Sequence, residues 1–171
     1  MILVDWQIKE LCENKTSPLV DPLDEELINA ASLDIRIGIS AQLEVEEGFR
    51  VIDLSGNSET DPFWLYPSEC ILVASLEIFN IPNHVAAQFR LKSSRGREFY
   101  EHMEAGFCDP GWNSSALTME LKNVNRFKKL PLYPGFRIGQ LIFYQLADIP
   151  KRSYAERGRY NHDTKATRSK G

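Results

Sequence analysis

Apolar and polar positions alternate with a period of two along most of this chain. Leu33, Ile35 and Ile37 alternate with Asp34 and Arg36, the spacing that puts successive side chains on opposite faces of a β-strand. The same habit marks LEV at 43–45, FRVID at 49–53, CILVASLEIF at 70–79, AAQFRLK at 86–92, ALTMELKN at 116–123 and RIGQLIFYQL at 137–146. Turn signals such as SGN, IPN, DPG and YPG separate these runs. One segment departs from the rule. Val4, Ile8, Leu11 and Cys12 fall at i, i+4, i+7 and i+8, which predicts a short amphipathic helix with Asp5 as its cap. The chain is thus read as mainly β, either a barrel or a jelly-roll-like sandwich, two outcomes that periodicity alone does not separate.

A length of 171 residues suits one domain, taken here as 1–171. The longest apolar run is CILVA at 70–74, far short of the ~18 residues that span a bilayer. The N-terminus lacks a basic region and a cleavage site, so a soluble, cytoplasmic protein is expected. Cys12, Cys70 and Cys108 form no C-x-x-C pair, which argues against a disulfide framework and a structural zinc site. Net charge is −4, unsuited to coating nucleic acid, yet residues 151–171 hold seven Lys/Arg against two Asp/Glu. Such a basic end suits a compact polyanion such as a triphosphate. From about Arg157 apolar content is low, and a mobile tail that orders on binding is expected.

His84, His102 and His162 are far apart in sequence, and neither the H-x-E with P-C-x-x-C of zinc deaminases nor a Gly-rich phosphate loop occurs. Chemistry must then come from carboxylates, hydroxyls and arginine. Four clusters offer it. KSSRGR, 92–97, could grip phosphate through Ser93, Ser94 and backbone N–H groups while Lys92, Arg95 and Arg97 neutralise charge; in isolation it reads first as a polar loop. AGFCDPGW, 105–112, places Asp109 at a Pro-Gly turn, an ordinary use of Asp. In ALTMELKN, Glu120 shares a strand face with Thr118 and Lys122, opposite Leu117, Met119 and Leu121; unless that face lines a pocket it is a solvated carboxylate. PGFRIGQL, 134–141, reads as a turn and a core strand.

The order of these clusters is more specific than any one of them. With ASLDIRIG at 31–38 and SYAERGRY at 153–160, the chain resembles the dCTP deaminase branch of the dUTPase superfamily over nearly its whole length. The resemblance implies a distorted β-barrel or jelly-roll-like dUTPase-type fold, a homotrimer with active sites between subunits, and Mg²⁺ carried by the triphosphate, without zinc. It implies that Glu120 is the general base and acid, and that Ser93 and Arg97 position the attacking water and keep Glu120 ionised. Lys92, Ser93 and Ser94 would belong to the nucleotide loop, and Asp109 would accept from the 3′-hydroxyl. The backbone at Thr118 and Met119 would read the pyrimidine, and Gln140, Tyr154 and Arg159 would close on sugar or triphosphate. dCTP and dUTP are the implied ligands, with dTTP a candidate inhibitor.

The chain departs from that pattern in places. Leu91-Lys92 stands where Gly-Arg or Gly-Lys is usual, Glu98-Phe99-Tyr100 replaces Leu-Gly-Leu, and Asp163 replaces a tail glutamine. Ala105-Gly106-Phe107 resembles the members that carry dCTP on through dUTP to dUMP. Two other readings stay open at this level: a dUTP pyrophosphatase without deaminase activity, and a regulatory protein that binds a pyrimidine triphosphate without turnover.

Overall fold

In the computed structural model, which describes residues 1–171, the period-two segments are strands. In chain order they are β1 (Val20–Asp21), β2 (Ile28–Asn29), β3 (Ser32–Val45), β4 (Gly48–Asp53), β5 (Phe63–Leu65), β6 (Cys70–Asn80), β7 (Val85–Leu91), β8 (Tyr100–His102), β9 (Phe107–Cys108), β10 (Asn113–Asn123), β11 (Leu130–Leu132) and β12 (Arg137–Gln145). Ten of them form one curled antiparallel half-barrel whose main path runs β8-β10-β6-β3-β12-β7-β9, and β5 pairs with β11. The expected mainly β, dUTPase-type architecture with an N-terminal helix is what the chain adopts.

β3 belongs to both halves of this surface. Leu33–Arg36 pair with β12, whereas Ile37 and Ala41–Leu43 pair with β6 and Ser40–Val45 with β4. The register slips between Ile37 and Ala41, and Gly38 permits the crossing: a Cβ there would lie 2.7 Å from the Ser75 carbonyl oxygen. The inward side chains, among them Ile35, Val73, Phe79, Phe89, Met119 and Phe143, are buried in one cluster, each contributing on the order of 2 kcal/mol. On β10 the division is the one periodicity predicted. Leu117, Met119 and Leu121 are buried, and Thr118, Glu120 and Lys122 are half-buried on the other face.

Three short helices attach to the sheet. α1 (Asp5–Cys12) buries Ile8 and Cys12, as its spacing predicts, but its cap is Val4 and not Asp5. Gln7 Oε1 accepts from the Val4 N–H at 3.1 Å, so Asp5 becomes the first helical residue, where a carboxylate complements the helix dipole. α2 (Ser93–Arg97) carries the hydroxyl-rich segment. α3 (Tyr154–Arg157) is capped by Ser153, whose Oγ accepts from the Ala155 N–H at 3.2 Å. No helix is long and apolar enough to cross a membrane.

Residues beyond α3, expected to form a mobile tail, lie against the sheet in this structure. Ala116 N donates to the Asp163 carbonyl at 2.8 Å, and Ala166 N donates to Ser40 Oγ at 3.1 Å. Ala166 is buried with Ala74 and Ala116.

Candidate active site

The polar face of β10 lines a cavity of 570 Å³. Glu120 and Thr118 reach it from β10, Asp109 from the turn before β10, and Tyr154 from α3. Trp112 and Phe107 supply apolar wall. The turn is built for its position. Trp112 N donates to the Asp109 carbonyl at 3.1 Å, and Gly111 has φ +89°, the type II arrangement of proline then glycine at its centre. Gly111 also leaves room for Ser153, since a Cβ there would fall 2.0 Å from Ser153 Oγ. Tyr154 N donates to the Pro110 carbonyl at 2.9 Å, so one turn sets both Asp109 and the start of α3.

Glu120 has its Oε2 turned inward, buried and without a hydrogen-bond partner, while its side chain remains 26% exposed. Oε1 is therefore the oxygen available to a water or ligand in the cavity. His102 Nε2 lies 3.2 Å from Oε2, within ion-pair distance but off the line of a hydrogen bond. Beneath the site burial, with a smaller push from Asp109, drives the Cys108 thiol up to about 12, so this sulfur is no nucleophile at neutral pH.

Four of the expected residues, Asp109, Thr118, Glu120 and Tyr154, thus share one cavity. Met119 does not line the cavity, its side chain being in the core. The others lie elsewhere on this chain. Ser93, Ser94 and Arg97 project from α2 to solvent, and none lines the cavity. Lys92 Nζ sits 2.6 Å from both carboxylate oxygens of buried Asp34. Gln140 accepts from Ser32 Oγ at 2.7 Å. Arg159 is exposed, and its carbonyl accepts from Lys170 Nζ at 2.7 Å. Asp163, whose charge is unfavourable beside a triphosphate, is paired with Lys170 at 2.6 Å.

Two features of the site escaped the sequence. His102 had one weak signal: it shares a face of β8 with Tyr100, and both are buried. The segment after α3 also lines the cavity, through Thr167, Arg168 and Ser169. Thr167 N donates to Thr118 Oγ1 at 3.1 Å, a contact that composition does not announce.

A family model described as dCTP deaminase-like matches residues 2–146. The chain belongs to the dCTP deaminase-like family. Among similar proteins, "dCTP deaminase, dUMP-forming" of Corynebacterium efficiens is 34% identical, with 100% of this chain and 94% of that protein covered. The protein of the same name from Tropheryma whipplei is 36% identical, covering 90% of this chain and 83% of that one. Among solved structures, 2′-deoxycytidine 5′-triphosphate deaminase from Agrobacterium tumefaciens aligns with a TM-score of 0.66 at 22% identity, over 83% of this chain and 47% of that longer one. A dUTPase from phage phi11 of S. aureus, described with a structural Mg(II) ion, aligns with a TM-score of 0.51 at 12% identity, over 78% of this chain and 94% of its own. These distant structures establish the shared fold. In this chain the cavity is built around a carboxylate on a strand, and no three His, Cys, Asp or Glu side chains converge to hold a metal ion.

Proposed function

We propose that this dCTP deaminase-like chain hydrolyses dCTP to dUTP and ammonia and carries dUTP on to dUMP and pyrophosphate. The observation that carries the reading is the placement of Glu120 in the lining of a cavity shared with Asp109 and Thr118. Relatives that form dUMP, 34–36% identical over most of the chain, support the second step.

Glu120 takes a proton from water as the oxygen bonds to C4 of cytosine, then delivers it so that the C4–N bond breaks and ammonia leaves. The backbone beside Thr118 and Met119 reads the pyrimidine edge, and Asp109 accepts from the deoxyribose. In the hydrolysis of dUTP, Asp109 helps to activate a second water. Mg²⁺ arrives on the triphosphate oxygens, which need no metal cage from the protein.

Ser93 and Arg97 are exposed on α2 and line no part of the cavity of their own chain. If they position the water, they do so in the cavity of a second copy. We therefore read the working form as a homotrimer with sites at its interfaces, acting in the cytoplasm on free nucleotides. Incubation of the protein with dCTP and Mg²⁺, followed by separation of products, tests this reading. dUMP with pyrophosphate and ammonia is expected, dUTP alone would remove the second step, and binding without product would remove the enzyme.

A further inference from the structure

Glu120 carries a buried carboxylate oxygen with no hydrogen bond, an arrangement that destabilises the fold unless something answers it. The group facing it is His102 Nε2, 3.2 Å away. β8 and β10 are paired so that His102 is opposite Leu121, the neighbour of Glu120, and Met103 N donates to the Glu120 carbonyl at 3.2 Å. Strand pairing sets His102 on the face of Leu121, beside Glu120 in the ladder, and its ring nitrogen reaches Oε2 where β8 ends.

The other ring nitrogen decides which proton His102 carries. Glu104 N donates to Nδ1 at 3.2 Å, which requires a lone pair there, so the neutral ring bears its proton on Nε2, the nitrogen beside Glu120. This tautomer follows from the hydrogen-bond network. Glu104 has φ +61°, a left-handed turn that brings its N–H back over the ring, and its carboxylate is tied to Arg90. The ring cannot swing away. It packs on Phe89 with centroids 4.7 Å apart, and a Cβ on Gly106 would lie 3.4 Å from its Cε1.

We propose that His102 is a positioning residue for the deamination described above. Its Nε2–H holds Oε2 of Glu120, which leaves Oε1 with a lone pair directed at the water. The present contact lies outside hydrogen-bond geometry, and catalytic hydrogen bonds commonly tighten when substrate binds. His102 does not touch the nucleotide; it acts through Glu120.

The proposal rests on the deaminase reading, and its test separates the two. Protein labelled with ¹⁵N-histidine is examined by long-range ¹H–¹⁵N correlation at neutral pH, with His102→Gln used to assign the signal. The Nε2–H tautomer is expected at His102, and an Nδ1–H tautomer overturns the proposal whatever the substrate. Kinetics supply the second arm, reading ammonia released from dCTP. His102→Phe, which keeps the ring's bulk without the donor, is expected to lower kcat by about 100-fold with KM within about threefold. His102→Gln, which offers an N–H at similar reach, is expected to recover about tenfold of that loss. A kcat for His102→Phe within about twofold of the parent, or a loss confined to KM, overturns the proposal. Should His102→Phe fail to fold by circular dichroism, the tautomer of the unmodified protein decides. Absence of ammonia from the unmodified protein refutes the substrate assignment, and the tautomer then judges the His102–Glu120 pair by itself.

Discussion

Lys92 directs its ammonium at both oxygens of Asp34, each at 2.6 Å, and Asn29 Nδ2 donates to the same carboxylate at 2.9 Å. Asp34 is almost fully buried and Lys92 half-buried. The cation at the start of the hydroxyl-rich segment is thereby anchored to β3, and α2 begins from a fixed point. A triphosphate approaching Lys92 would share it with Asp34 and not meet a free charge.

Removing Lys92 should therefore be felt in stability first. Lys92→Ala leaves a buried carboxylate with a single neutral donor, and a loss of about 3 kcal/mol is expected in urea unfolding. Asp34→Leu combined with Lys92→Met, which removes both charges, should recover most of that loss. A Lys92→Ala variant of unchanged midpoint would show that the pair contributes nothing.

The division of site residues between two surfaces gives a test of assembly. Arg97→Ala and Glu120→Gln are each expected to be inactive as pure proteins. Unfolded together in equal amounts and refolded, they would, on the proposed trimer, give mixed assemblies in which about a quarter of the interfaces join an intact Arg97 to an intact Glu120 of the neighbouring copy. Recovery of roughly a quarter of the parent activity is expected, whereas a site built within one chain recovers none.

Much of this arrangement is visible in the residues themselves, for a physical reason. On β10 the alternation of Leu117, Met119 and Leu121 with Thr118, Glu120 and Lys122 follows from burying one face, so periodicity finds both the core and the carboxylate. KSSRGR reads as a loop because two serines and a glycine are poor helix formers, yet three-dimensional anchoring of Lys92 and of Arg95 on Phe136, 4.1 Å from the ring centroid, winds it into α2. His102 stays hidden because its partner Glu120 is 18 positions away, brought close only by strand pairing. The residues after α3 show the limit of composition as a guide. Their apolar content is low, but backbone hydrogen bonds and the single methyl of Ala166 suffice to seat them on the sheet.

That seat yields a third expectation. Ala166→Glu places a charge between Ala74 and Ala116, where burial without a partner is prohibitive, and the segment should leave the sheet. Faster tryptic cleavage at Lys165 and Arg168 is expected, with weaker nucleotide binding because Thr167 and Arg168 no longer wall the cavity. Unchanged cleavage would mean the contact is not kept in solution.

The thiols provide a pH-dependent check. Burial pushes Cys12 and Cys108 up to about 12 from an ordinary 9.0, so at pH 8 roughly one in ten thousand of each is thiolate. A thiol reagent should label half-buried Cys70 in the native protein and all three after denaturation. Because the folded values are raised, the two buried thiols contribute stability that is complete below pH 9 and is lost as pH climbs towards 12. Urea midpoints should fall across that interval, and Cys108→Ala should fall less steeply.

β3 also carries a consequence for biosynthesis. Its first half waits for β12, and Arg36 cannot meet Arg137 until about 100 further residues have left the ribosome. Until then a long apolar strand has one side without a partner, so the nascent chain is the form of this protein most exposed to aggregation and to chaperone capture.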